Sequence, residues 1–399
     1  MLLKNRLFTP GPTPLLPAAQ TAMAAFTAHH RTADFKVLYT RVLADMKDFI
    51  GTANDVLVIA SSGTGVMEGS ISNLTSPGDR VLVLTAGKFG ERWRDLAKAY
   101  GCNVDLIEKP YGETFTLDEV RAKVTPETRA VYVQATESST GVRHDVKGIA
   151  KLVRANADTL LIVDAITGLG TTHFDVDGWG IDVIVGGSQK ALMIPPGLAY
   201  CAISERAWKR METTKNPRYY FDFRKERKAA AKGESAFTPA TSLFAALGAA
   251  LDFIRQMGNG DLVIGRKALI DNAELAAEMT RAGVKALGLK LYASSPGAAL
   301  TAVSAPAGID SGKIVKEFRE SFSAVVANGQ GDMKGKLFRI AHIGYYDFLD
   351  TIGILAALEH VLASVTDKPV EYGVAVRAAQ EVYAHARSAE PTAVAAARN

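Results

Sequence analysis

The segment Ile181-Asp182-Val183-Ile184-Val185-Gly186-Gly187-Ser188-Gln189-Lys190-Ala191-Leu192 decides how this chain folds. An apolar run ends in two glycines and a lysine. Pro195 and Pro196 follow, and then a second apolar run over 198–203. Residues 187–197 are too few, and too rich in proline, to hold a crossover helix, so the second run pairs antiparallel to the first or irregularly with it. A lysine on such a turn is poorly placed for solubility. It is well placed as an amine nucleophile, whose use depends on a fixed position and a lowered pKa. Asp164, 26 positions earlier, ends the run Leu160-Leu161-Ile162-Val163. A carboxylate and an amine thus each stand at the end of a buried strand.

Outward from that segment, short apolar runs alternate with amphipathic stretches. Strands are predicted over 56–60, 81–84, 104–107, 130–134, 160–163, 182–185 and 198–203, with helices over 91–100, 117–124 and 146–157 among the connections. This alternation predicts an α/β fold with a mostly parallel seven-stranded sheet covered on both faces. A helix-rich connector follows through 244–256 and 261–286. Strands at 289–293, 299–304, 324–327 and 336–343, with helices at 311–321 and 348–364, then predict a smaller C-terminal α/β domain. The expected organisation is an N-terminal segment over 1–20, a large domain over 21–260, a small domain over 261–370 and a helical tail over 371–399.

The chain has 399 residues, 48% hydrophobic and 22% charged, an ordinary globular balance. Its net charge of +4 is too small and scattered to point to nucleic acid. The densest basic stretch, Arg224-Lys225-Glu226-Arg227-Lys228, reads as a solvated helix face. Two cysteines, Cys102 and Cys201, cannot build a disulfide framework and fit a reducing compartment. Pro10, Pro12 and Pro14 interrupt any signal-peptide core, and no uncharged apolar run of about 18 residues occurs. The expected location is cytoplasmic, and no membrane or nucleic-acid partner is expected. His29, His30 and Arg31 cluster without metal-site spacing, so no metal is expected.

Ligands of open parallel sheets bind beyond the carboxyl ends of the strands. Five ends carry polar chemistry here: Ser61-Ser62-Gly63-Thr64-Gly65, Thr85-Ala86-Gly87-Lys88-Phe89-Gly90, Thr136-Glu137-Ser138-Ser139-Thr140-Gly141, Asp164, and Ser188-Gln189-Lys190. The Ser-Gly-Thr-Gly turn opens a helix, where backbone N–H groups suit a phosphate dianion. It is neither a Walker loop nor a dinucleotide fingerprint. Asp164 either caps the next segment or pairs with a protonated pyridine nitrogen. Phe89 fills core or stacks on a cofactor ring. Ser138 and Thr140 either bind a cofactor or stabilise a turn. Arg339, in Phe338-Arg339-Ile340-Ala341-His342, is an arginine inside an apolar strand. It requires a partner, either a structural carboxylate or the α-carboxylate of a substrate. An amine and a carboxylate, each at the end of a buried strand, are the pair that pyridoxal phosphate chemistry uses.

These residues together resemble the class V aminotransferases, closest to the alanine–glyoxylate, serine–pyruvate and serine–glyoxylate branch. The resemblance rests on Ser188-Gln189-Lys190-Ala191-Leu192 with Pro195-Pro196-Gly197, on Thr9-Pro10-Gly11-Pro12-Thr13, on Ser62-Gly63-Thr64-Gly65, on Glu137-Ser138-Ser139-Thr140-Gly141, on Val163-Asp164 and on Arg339. It implies a fold-type I pyridoxal-phosphate transferase in which Lys190 carries the Schiff base and Asp164 holds the ring nitrogen. Thr64, Gly65, Val66 and Gln189 would contact the phosphate, with Ser138 near the cofactor and Phe89 in the place of the family's usual tryptophan. Thr238 would reach the phosphate of a neighbouring subunit, which implies a homodimer. Arg339 would bind the substrate carboxylate, with Gly11 beside it. The implied reaction is ping-pong transfer of an amino group from serine or alanine to glyoxylate or pyruvate. Aspartate or phosphoserine transamination and a lyase or desulfurase reaction are the alternatives; the last needs a reactive cysteine on a mobile loop.

Overall fold

The computed structural model describes residues 2–26, 28–366 and 369–389. The last residues of the expected tail, 390–399, lie outside this range. All seven expected strands form one sheet. Its order is Asn103–Glu108, Arg80–Thr85, Thr128–Gln134, Leu160–Asp164, Val183–Gly187, Gly197–Ile203, Asp55–Ser61. The first five run parallel. Gly197–Ile203 runs antiparallel to both of its neighbours, as the short proline-bearing turn requires.

The sheet is buried on both faces, and its side chains alternate between two cores. Leu161, Val163, Val131, Val133 and Ile184 enter one core. Leu160, Ile162, Tyr132, Val183 and Val185 enter the other. This explains why the strands read as continuous apolar runs rather than as alternating patterns. Helices Gly63–Leu74 and Lys88–Ala99 start at the carboxyl ends of Asp55–Ser61 and Arg80–Thr85. Their N-termini therefore point to the same rim as Asp164 and Lys190.

The second sheet has four strands in the order Arg6–Phe8, Ala324–Asn328, Leu337–Ala341, Leu300–Ser304. Arg6–Phe8 pairs parallel with Ala324–Asn328, so the N-terminal segment is stitched into the small sheet. Residues 289–293 were expected as a strand, but Leu291 makes only an isolated bridge to Val303. Tyr292 N donates to Ala302 O and Ser304 N donates to Lys290 O, so the segment lies beside Leu300–Ser304. The chain then turns to the large domain, with Ser294 N donating to Gly112 O and Arg143 N donating to Ser295 O. The 25-residue helix Leu262–Ala286 spans both bodies: Leu262 and Leu269 pack in the large core, Met279 and Val284 in the small one. Helix Val374–Ala389 places Ala375 and Ala379 in that small core. Phe348–Thr366 is long and apolar enough to cross a membrane by composition. Here it packs Ile354, Leu355, Leu358 and Val361 into the small-domain core, and its Glu359 accepts from Gly373 N and Ala375 N.

Candidate active site

Lys190 is buried at the end of the Val183–Gly187 strand. Its turn is clamped by the N-terminal segment. Thr13 N donates to Gln189 O at 3.2 Å, and Thr13 Oγ1 donates to Lys190 O at 2.9 Å. Lys190 Nζ donates to Pro10 O. Gly11 (φ +150°) lies so close that a Cβ there would sit 2.6 Å from Nζ, so only glycine fits. Gly11 and Lys190 are thus brought together, in contact with each other. The same segment rests on the small domain, where Tyr345 N donates to Pro14 O.

The Lys190 amine is lowered to about 8, chiefly by burial; Asp164 opposes this, while the charges of Arg339 and Arg92 add to it. Asp164 is buried with one oxygen engaged, Oδ1 accepting from Ile166 N at 2.9 Å. Its carboxyl is raised to about 6, chiefly by burial and also by the nearby Glu137, against the Ile166 N–H bond and the charges of Lys190 and Arg92. The capping role considered for Asp164 occupies only that first oxygen.

Helix Gly63–Leu74 begins at Ser62, whose side chain does not cap it. Gly65 N turns back to Ser62 O at 2.9 Å, which leaves the N–H groups of Gly63 and Thr64 to an anion. Thr64 stands at this end, while Gly65 and Val66 are buried behind it. Gln189 Oε1 is buried without a partner, an acceptor that only a hydrogen-bond donor would satisfy. Phe89 lies in the first turn of Lys88–Ala99, with the Arg92 guanidinium 4.7 Å from its ring centroid.

Arg339 is buried, and the carboxylate expected under the structural reading is missing: no acidic side chain among the described residues forms an ion pair with it. Its Nε and Nη2 donate to Asn328 O in the small domain, and its Nη1 donates to Ser138 O in the large one at 2.7 Å. Carbonyls orient the fork without neutralising it. Burial lowers its pKa to about 10, with Glu137 opposing. A positive charge this desolvated attracts an anion strongly.

Two residues were missed as site residues. Glu137 was read only as part of its motif, yet its buried carboxylate is a hub. Oε2 accepts from Phe89 N and Gly90 N, at 3.0 and 3.2 Å, and Oε1 accepts from Ser139 N and Ser139 Oγ. It joins the Phe89 turn to the loop that carries Ser138. Arg92 was read as part of an amphipathic helix, yet it bonds Thr64 Oγ1 at 3.2 Å. Ser138 contributes its carbonyl, and its hydroxyl makes no hydrogen bond to the described residues. Thr140 Oγ1 donates to Glu137 O and stabilises the turn.

Thr238 is not brought to this cluster. It is exposed and lines a small pocket with Tyr220, Phe237, Pro239 and Val58. Arg31 is exposed, and Arg224 is engaged by Asp222 and Met211 O, so neither joins the site. Cys102 and Cys201 are buried and burial pushes both thiols up, the opposite of a reactive thiolate on a loop.

Residues 8–279 match the family model described as aminotransferase class-V. A soluble hydrogenase small subunit from Synechococcus sp. is 38% identical over 95% of this chain and 98% of its own length. An L-aspartate–glyoxylate aminotransferase from Paracoccus denitrificans is 33% identical over 96% of this chain and 97% of its own. Among solved structures, an alanine–glyoxylate aminotransferase from Nostoc sp. matches with a TM-score of 0.84 and 29% identity, covering 91% of this chain and 96% of that one. Two sheets, a lysine turn and a family model spanning most of the chain agree: this protein belongs to the class V aminotransferases.

Proposed function

We propose that the protein exchanges an amino group between a small amino acid, serine or alanine, and a small 2-oxo acid, glyoxylate or pyruvate, using pyridoxal phosphate held at Lys190. The observation that carries this reading is the convergence of a buried amine with a lowered pKa, a buried carboxylate and an unpaired buried guanidinium. The relatives whose names specify glyoxylate favour that acceptor.

The residues fit the cofactor. The uncapped N-terminus of Gly63–Leu74 and the Thr64 hydroxyl suit its phosphate, and Phe89 offers a face for its ring. Bound pyridoxal phosphate supplies the aldehyde and the electron-withdrawing ring that amino-group exchange requires. Asp164, with a free oxygen and a charge that a cation would stabilise, holds the ring nitrogen protonated. Arg339 receives the α-carboxylate with its unneutralised fork and fixes the substrate's orientation. Lys190 Nζ, once released from Pro10 O, takes and returns a proton at the α-carbon, a task suited to an amine near pKa 8. The protein acts as a homodimer in the cytoplasm, and Thr238 serves the partner's phosphate.

A panel of serine, alanine and aspartate donors against glyoxylate, pyruvate and 2-oxoglutarate tests the reading. Fastest turnover with serine or alanine and a two-carbon or three-carbon acceptor is expected. Exclusive use of aspartate with 2-oxoglutarate would contradict the substrate assignment.

A further inference from the structure

Arg92 is the cation of the site that the function above leaves unused. It is half-buried one turn into Lys88–Ala99, and no acidic side chain among the described residues pairs with it. Its Nη1 donates to Thr64 Oγ1 at 3.2 Å, and its Cζ lies 4.7 Å from the Phe89 ring centroid. One guanidinium therefore touches the residue placed for the cofactor phosphate and the residue placed for its ring. Two consequences follow from elementary chemistry. Because Thr64 Oγ1 accepts from Arg92, the hydroxyl proton is left to donate elsewhere, toward an anion at the helix start. In addition, a helix N-terminus carries only about half a positive charge, against the two negative charges a phosphate can bring.

We propose that Arg92 is a positioning residue for the phosphate end of the cofactor: it fastens Phe89 and Thr64 and sets a fixed positive charge beside the bare N-terminus of Gly63–Leu74. This rests on the reading that the site holds pyridoxal phosphate. A planar guanidinium can lie on an aromatic ring and donate sideways at once, which an ammonium cannot. The charge is also felt at the lysine, since Arg92 lowers Lys190 and Asp164 together. The groups that set the Lys190 charge are then Asp164 on one side and Arg339 and Arg92 on the other, with Glu137 acting on Asp164 and Arg339.

The test is titration of the cofactor-free dimer with pyridoxal phosphate and, separately, with pyridoxal, followed by visible absorbance. Wild type is compared with Arg92→Gln, Arg92→Lys and Thr64→Val. Arg92→Gln is expected to weaken pyridoxal phosphate roughly 10- to 100-fold, the range of a hydrogen bond to a charged group. Its loss for pyridoxal is expected to be about tenfold smaller. Arg92→Lys should recover part of the difference, and Thr64→Val should add little to Arg92→Gln. In the loaded protein, Arg92→Gln should move the absorbance midpoint to higher pH, because removing a cation makes a proton at the Lys190 nitrogen easier to hold. Equal losses for both ligands, or wild-type affinity with an unmoved midpoint, would overturn the inference while leaving the site's function intact. If the wild-type protein binds no pyridoxal phosphate, the reading of the site falls and takes this inference with it.

Discussion

Lys190 and Arg339 meet at one site but are delivered by sheets of different construction. Lys190 follows a central strand of a seven-stranded sheet buried on both faces, on a turn held by Thr13 and Pro10. Arg339 lies within a strand of a four-stranded sheet and reaches the large domain through a bond to Ser138 O. The contrast assigns labour. On the function proposed above, the bond-making groups sit at strand ends of the sheet buried on both faces, and the substrate grip comes from the other body across an interface. The N-terminal segment touches both, with Arg6–Phe8 in the small sheet and Gly11 against Lys190.

That division predicts which kinetic constant each substitution moves. Lys190→Ala should abolish turnover, by at least about 10⁴-fold, since it removes the proton-transfer group as well as the amine; single-turnover assays at matched folding, judged by circular dichroism, check this. Arg339→Lys keeps the charge but loses the fork and leaves Asn328 O and Ser138 O short of donors. It should raise KM for the amino donor roughly 10- to 100-fold with a smaller change in kcat. A fall confined to kcat would break the proposed division. Asp164→Asn should do the reverse, lowering kcat by roughly 10- to 100-fold, the worth of about 1.5–3 kcal/mol of charge-assisted bonding.

A smaller effect concerns pH. The Lys190 amine of the cofactor-free protein is lowered from 10.5 to about 8, so its neutral form grows as pH rises through about 8. Asp164, raised to about 6, loses its charge below that value. Pyridoxal phosphate uptake, followed by stopped-flow absorbance, should therefore rise above pH 6 and level off above pH 8. A rate still climbing steeply at pH 10 would mean an unperturbed lysine. The smallest effect is expected for Gly11→Ala, whose added methyl meets Lys190 Nζ and a backbone at φ +150°. A loss of about 1–3 kcal/mol is expected by thermal unfolding, greater without cofactor than with it.

Much of this was legible in the chain because burial on both faces writes strands as plain apolar runs. The turn at 187–197 was legible for a different reason: its length excludes a helix, which left an antiparallel or irregular strand, and the antiparallel one forms. Asp164 and Lys190 were found because their positions at strand ends carry the information. The three-residue strand Arg6–Phe8 left no such trace, since its pairing with Ala324–Asn328 is set by a partner more than 300 residues away. The strand expected at 289–293 stops at one bridge to Val303 because the chain turns to the large domain at Ser294 and Ser295. Arg92 and Glu137 were hidden for a similar reason. A charge on a strongly amphipathic helix reads as solvated, and a glutamate in a turn reads as local. Only the packing of Lys88–Ala99 against Gly63–Leu74 and the Thr136–Glu137 strand gives them partners.

The central claim concerns one nitrogen. Protein loaded with pyridoxal phosphate, reduced with borohydride, digested and mapped by mass spectrometry should carry the reduced cofactor on the peptide containing Lys190. A label on another lysine, or no label from a protein that still transaminates, would contradict it.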